Sequence, residues 1–189
     1  MSQVNEYISK NFKDTIRYKP EDEGNLIGLP YPYTTPCANE GFMEMYYWDT
    51  YFTNVGLIAA GNIELAKNNA DNMRFLINKY GFIPNGNRTN LLGNTQPPFY
   101  FKTVEDIFEV TGDKSWLKES YDALVKEYDF WQTNRIAPNG LNIYGAHGDY
   151  TKEYTERKYN YFKCSQPKES ARDIYGLPSS LRRLLILSN

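Results

Sequence analysis

The segment Ile63–Tyr80 does most to limit the fold. Apolar residues fall at Ile63, Ala66, Ala70, Met73, Ile77 and Tyr80, a three-four spacing that brings them to one face only in an α-helix. Gly81 follows at once and predicts a left-handed C-cap. The same rhythm recurs on both sides. Phe42–Ala60, ended by Gly61, is apolar almost all round, as a buried helix would be. Pro97 and Pro98 predict the start of another helix, with Phe101, Val104 and Phe108 on its inner face. Ser115–Asn134 predicts a fifth, striped by Leu117, Tyr121, Leu124, Tyr128 and Trp131. Val4, Ile8 and Phe12 mark a short first helix. Lys19–Asn39, rich in Pro, Gly and Thr, reads as an extended surface segment.

The connections are unequal. Gly61-Asn62 and Thr111-Gly112-Asp113 are tight turns, whereas Gly81–Gln96 is a long loop. Short turns at one end and long loops at the other are what a ring of helical hairpins produces, and functional loops on a rigid scaffold usually share one face. The fold class is therefore all-α. Beyond Pro138 the character changes. Asn139–Gln166 is rich in Tyr, Lys and Gly, and Leu181, Leu184, Leu185 and Leu187 make a greasy end. That end is expected to reflect a cut or frame-shifted chain, with a docked terminal helix as the other reading. Residues 1–189 are read as one partial domain: a lead-in over 1–41, a helical core over 42–135 and a distinct part over 136–189.

Composition narrows the partners. With a net charge of −2 over 189 residues, neither nucleic acid nor an anionic membrane is an expected partner. Aromatics reach 16%, with 17 Tyr, 10 Phe and 3 Trp. Such rings suit wet binding clefts, and they suit a core equally well. Cys37 and Cys164 are too few for a disulfide scaffold. With His147 as the single histidine beside two cysteines, no zinc site is expected. Met1–Tyr18 is polar and mixed in charge, and no apolar cluster approaches the length of a membrane span. A cytoplasmic location is the expectation.

Three segments could carry chemistry. Glu44-Met45-Tyr46-Tyr47-Trp48-Asp49-Thr50-Tyr51-Phe52 sets a carboxylate among aromatic rings. A buried Asp there must be hydrogen-bonded or change its pKa; beside open rings it would accept from sugar hydroxyls, and otherwise it would tie two helices together. Ile83-Pro84-Asn85-Gly86-Asn87-Arg88, leading to Gln96-Pro97-Pro98, offers amides and a guanidinium to neutral polyols, although Asn-Gly is also plain turn chemistry. Glu169-Ser170-Ala171-Arg172-Asp173 places two carboxyl groups four apart, a spacing equally at home on a charged helix surface.

In this order the three segments resemble the trehalases, glycoside hydrolase family 37. Tyr46-Tyr47-Trp48-Asp49-Thr50-Tyr51-Phe52, preceded by Phe42 and Glu44, is similar to that family's aromatic signature. Ile83–Arg88 is similar to its Ile-Pro-Asn-Gly-Asn-Arg block and Gln96-Pro97-Pro98 to its Ser-Gln-Pro-Pro block. The likeness is good over residues 28 to 135. It implies an (α/α)6 toroid, here incomplete, with the active site at one mouth and an inverting mechanism on α,α-trehalose without metal or cofactor. In such chemistry one carboxylic acid protonates the leaving oxygen while a second carboxylate activates water, the two standing about 6.5–9.5 Å apart. By the same resemblance Asp173 is the candidate acid, and Phe42, Trp48, Asp49, Asn85, Arg88 and Gln96 are candidate sugar contacts.

The departures matter as much. Where the family has Pro-Gly-Gly-Arg, this chain has Pro36 followed by Cys37, Ala38, Asn39, Glu40 and Gly41. Asn94 replaces a second family Arg, and an Arg-x-Glu pair expected between Gly140 and Phe162 has no clear match. Ala171 and Arg172 replace Gly-Trp, and the family's distal catalytic Glu has no counterpart in the chain. Lost guanidiniums remove paired hydrogen bonds to hydroxyls, which bears on sugar specificity. Twelve helices at this spacing would need on the order of 320 residues, so about half a toroid is expected. Self-association through exposed core would follow. Two other readings compete: a vestigial carbohydrate-binding protein, and a helical interaction module in which all three motifs are structural.

Overall fold

In a computed structural model describing residues 3–39 and 41–144, the periodic segments become five helices: α1 (Gln3–Asn11), α2 (Tyr47–Ala59), α3 (Ile63–Tyr80), α4 (Tyr100–Thr111) and α5 (Lys114–Asn134). The all-α reading holds. The strands among the described residues are two residues each, β1 (Ile16–Arg17) antiparallel to β2 (Tyr33–Thr34). The helices α2, α3 and α4 each pack on the other two, and α5 packs on α3 and α4. The tight turns after α2 and α4 make antiparallel hairpins.

The α3 stripe packs as its spacing predicts. Ala66, Ala70, Met73 and Ile77 are fully buried, joined by Leu76, and a buried Ile or Leu side chain contributes about 1.5–3 kcal/mol. Gly81 closes the helix with φ 82°, its N–H donating to the Ile77 carbonyl, a conformation that costs glycine little. At the start of α5 the Asp113 carboxylate accepts from the Trp116 N–H at 3.0 Å, a cap worth about 1 kcal/mol.

Three expectations need correction. The segment Lys19–Asn39 is extended but only partly on the surface: residues 19–25 are exposed, whereas Ile27, Leu29 and Tyr33 are wholly buried. Asparagines of α3 hold it there. The Asn69 amide oxygen accepts from the Thr34 N–H at 3.1 Å. Asn72 accepts from the Tyr31 N–H at 3.1 Å and donates to the Tyr31 carbonyl at 3.0 Å. Such two-ended amides satisfy backbone groups that no helix or sheet serves. At Gly28 a Cβ would stand 2.5 Å from backbone atoms of Pro20 and Glu21, so the chain's close pass requires glycine.

The second correction concerns α2, which begins at Tyr47 rather than Phe42. The preceding residues stay extended because the 83–88 loop takes their hydrogen bonds. Tyr47 N–H donates to the Asn85 carbonyl at 3.1 Å, and Asn87 N–H to the Met45 carbonyl at 3.2 Å.

The third lies in the inner faces of α4 and α5. Phe101 is exposed and Tyr100, Thr103, Val104 and Ile107 are buried; on α5 Tyr121 and Tyr128 are exposed and Trp116, Ser120, Ala123, Glu127 and Trp131 are buried. Two neighbouring stripes of α5 share helical spacing. The small Ser120 and Ala123 win the inner position because they admit close helix approach, while tyrosine can leave its polar tip in water. No helix among the described residues is long and apolar enough to cross a membrane.

Candidate functional site

The first turn of α2 projects Trp48 and Asp49 beside the long loop. Tyr46 precedes the helix in an extended conformation, with φ −91° and ψ 144°, and bridges to Gly86. The Tyr46 side chain does not cap the helix. Instead the long loop meets its first orphan donors. The Asn85 carbonyl takes the Tyr47 N–H, and the Gln96 amide oxygen takes the Trp48 N–H at 3.0 Å. The Gln96 amide nitrogen also donates to the Asp49 carboxylate at 3.4 Å. A carboxylate in this turn is favoured by the helix dipole. Gln96 thus acts as a bracket: one end fixes the helix start and the other aims Asp49.

Around this bracket the rings are open. Trp48 is 40% exposed and Phe42 59% exposed, while Asp49, Asn85, Arg88 and Gln96 are half-buried. Phe42 sits edge-on to Tyr46 with centroids 5.5 Å apart, and Trp48 edge-on to Phe52 at 6.2 Å. Tyr51 stacks on Phe99 at 4.6 Å, which fastens α2 to the lead-in of α4. An indole face, a carboxylate acceptor and amides that both donate and accept are the elements that hold a neutral polyhydroxylated ligand.

The structure separates the six expected contacts into two groups. Trp48, Asp49 and Gln96 are linked directly, and Asn85 joins them through the backbone of Tyr47. Arg88 is engaged elsewhere: its Nε donates to Glu44 and its Nη1 to Asn25. Glu44 is itself buried and accepts from the Met43 N–H and the Tyr46 hydroxyl, each at 3.1 Å. Burial and the charge of Glu44 push the Tyr46 hydroxyl well above its ordinary range, so it stays protonated and donates. Phe42 touches this second group through Tyr46. Asp173, the expected acid, lies outside the described residues, together with Glu169, His147, Cys164 and the leucine-rich end.

Four residues of this region are not among the expected contacts. Asn87 is fully buried, its amide oxygen accepting from the Met45 N–H and its nitrogen donating to the Ile27 carbonyl, each at 2.8 Å. Tyr47 and Glu127 are buried partners, the Tyr47 hydroxyl donating to the Glu127 carboxyl. Burial pushes the Glu127 carboxyl up to about 7, against the lowering effect of that hydrogen bond. Its signal was present: Trp116, Ser120, Ala123, Glu127 and Trp131 keep three-four spacing, so a glutamate stands on a buried face. Arg17 also reaches toward this region, its guanidinium donating to the carbonyls of Asp14 and Ile16 at 2.6 and 3.0 Å and to that of Ala38. An open cavity of about 350 Å³ lies apart from the bracket, lined by Phe101, Glu127, Tyr128, Trp131, Asn142 and Tyr144 among others. No group of three or more His, Cys, Asp or Glu among the described residues is placed to share a metal ion.

Helical hairpins that carry an aromatic, amide-bracketed carboxylate at the loop end are a general architecture, and comparison with known proteins makes the family specific. The chain belongs to the trehalase family, whose model, described as Trehalase, matches residues 1–174. A periplasmic trehalase of Xanthomonas campestris pv. campestris is 43% identical over 107 residues, covering 57% of this chain and 18% of the relative. A trehalase of Apis mellifera is 32% identical over 178 residues, covering 93% of this chain and 26% of the relative. Among solved structures, the neutral trehalase Nth1 of Saccharomyces cerevisiae superposes with a TM-score of 0.58 at 30% identity, covering 71% of this chain and 26% of that one. The chain thus spans about a quarter or less of the length of these relatives, and its all-α hairpins correspond to part of that fold.

Proposed function

We propose that this chain forms the sugar-binding front of an inverting glycoside hydrolase acting on α,α-trehalose or a related α-glucoside. The observation that carries the reading is the Gln96 bracket, which fixes the Trp48 N–H and the Asp49 carboxylate while the indole stays open. The relatives, trehalases all, support trehalose as the substrate. In this reading Trp48 stacks on a glucosyl face, Asp49 accepts from hydroxyls, and Asn85 and Gln96 complete the polar contacts. Arg88 and Phe42 form the adjoining wall, with Arg88 oriented by Glu44. Asp173 is the proposed general acid, protonating the glycosidic oxygen while a distal carboxylate activates water on the other face of the ring.

In this reading the resemblance assigns none of these 189 residues to the base. The 189-residue chain is therefore expected to bind trehalose and release no glucose. Titration calorimetry with trehalose tests the binding, with Trp48→Ala expected to abolish the heat. Absence of saturable binding by the unaltered chain removes the sugar reading, and robust glucose release removes the fragment reading. Self-association through exposed apolar surface belongs to the same proposal, and a clean monomer in light scattering counts against it. Relatives named as periplasmic give no support to the cytoplasmic expectation.

A further inference from the structure

Tyr47 stands where three separate parts of the chain meet the first turn of α2. Its N–H donates to the Asn85 carbonyl in the long loop at 3.1 Å. Its hydroxyl accepts from the Tyr100 N–H at 2.9 Å, at the start of α4. The same hydroxyl donates its one proton to the Glu127 carboxyl on α5. Tyr47 is 1% exposed and Glu127 5% exposed, with Glu127 also lining the open cavity, so removing Glu127 leaves the buried Tyr47 hydroxyl without its acceptor. The two elements joined in this way bear the bracket: Trp48 and Asp49 follow Tyr47 directly, and Gln96 lies four residues before Tyr100. A phenol hydroxyl has one proton to give. Without an acceptor at Glu127, that proton must turn elsewhere, and the Tyr100 N–H contact turns with it.

From this geometry we infer that Glu127 is a positioning residue of the sugar site: through the Tyr47 hydroxyl it sets the distance between the first turn of α2 and the start of α4, and so holds Trp48, Asp49 and Gln96 in register. The inference rests on the sugar-binding reading of that bracket. Glu127 acts through Tyr47 and is given no contact with the ligand. A glutamine at 127 keeps an acceptor oxygen in the same place, whereas leucine fills the volume and removes it. The role is therefore separable from mere packing.

The test uses the full 189-residue chain and two readouts, calorimetric affinity for trehalose and hydrogen exchange resolved by segment. With Glu127→Leu, exchange is expected to accelerate over residues 46–50 and 96–100 while α3 keeps its protection, and trehalose affinity to fall by about tenfold, as for a lost orienting hydrogen bond. With Glu127→Gln, both readouts are expected to stay near those of the unaltered chain. Where Glu127→Leu does not fold, Tyr47→Phe removes one oxygen atom, keeps the ring, and is expected to move both readouts in the same direction. The inference is overturned if affinity is unchanged in the variants that lack the hydrogen bond, if glutamine and leucine lose equally, or if exchange rises uniformly over all helices. Local exchange changes in a chain that binds no trehalose at any concentration would remove the sugar reading and leave the Tyr47–Glu127 tether standing.

Discussion

The apolar stripe of α3 and the first turn of α2 are held by opposite means. Ala66, Ala70, Met73, Leu76 and Ile77 are dry and apolar, and they gain from burial wherever the neighbouring helix offers carbon. The α2 turn is held by single directed bonds, from Asn85, Gln96, Tyr100 and Glu127. The first arrangement is broad and tolerant of small shifts. The second is sparse, and each bond fixes one atom in one place. A binding corner needs the second kind, because aiming a carboxylate within a fraction of an ångström requires direction rather than area.

The largest break is expected in the dry region. Ile77→Ala should cost about 2–5 kcal/mol by urea unfolding, through lost burial and the cavity left behind. In the directed region Asn87→Ala strands the Met45 N–H and the Ile27 carbonyl, and should cost about 3 kcal/mol, accompanied by local exchange over residues 27 and 45 rather than across α3.

Glu127 sharpens the contrast through pH. Its carboxyl is raised in the fold to about 7 from 4.5, so the folded state holds the proton more tightly than the unfolded chain. Its contribution is fully present below pH 4.5 and is lost as pH rises through about 7. Relative to Glu127→Gln, the unaltered chain should lose about 3 kcal/mol between pH 4.5 and 8. Unfolding curves of the two proteins that stay parallel across that range would refute this.

Smaller effects follow at the rim. Trp48→Ala should change stability by no more than about 0.5 kcal/mol while eliminating trehalose binding, a separation that thermal melts and calorimetry read together. Smallest of all, Lys19→Ala removes an exposed pair with Glu23 at 3.4 Å and should change stability by less than about 0.5 kcal/mol and leave trehalose binding unchanged.

The same division decides what the sequence reveals. The α3 stripe, the Gly81 cap and the existence of the five helices follow from spacing and turn residues, because burial of carbon leaves a periodic trace. The directed contacts leave none. Tyr47 looks like one more aromatic in an aromatic run, and nothing near it in sequence points to Glu127. Phe42–Tyr46 carries helical composition but stays extended, since its backbone partners sit forty residues downstream in the loop. Ile27, Leu29 and Tyr33 lie in a Pro- and Gly-rich stretch whose burial depends on Asn69 and Asn72. On α5 two stripes compete, and only the approach of α3 and α4 decides between them. Of the candidate site, Trp48, Asp49 and Gln96 are legible as residues, and their mutual bracket is visible only in three dimensions.

The Tyr47 tether also has a consequence in time. Its acceptor on α5 lies 80 residues further along the chain, and its donor at Tyr100 lies 53 residues further. The α2–α3 hairpin can form from neighbours as soon as both helices exist, but closing loops of this length precedes any reward from the contacts they make. During synthesis the corner proposed to bind sugar cannot set until α5 has left the ribosome, well after the scaffold beneath it has begun to pack.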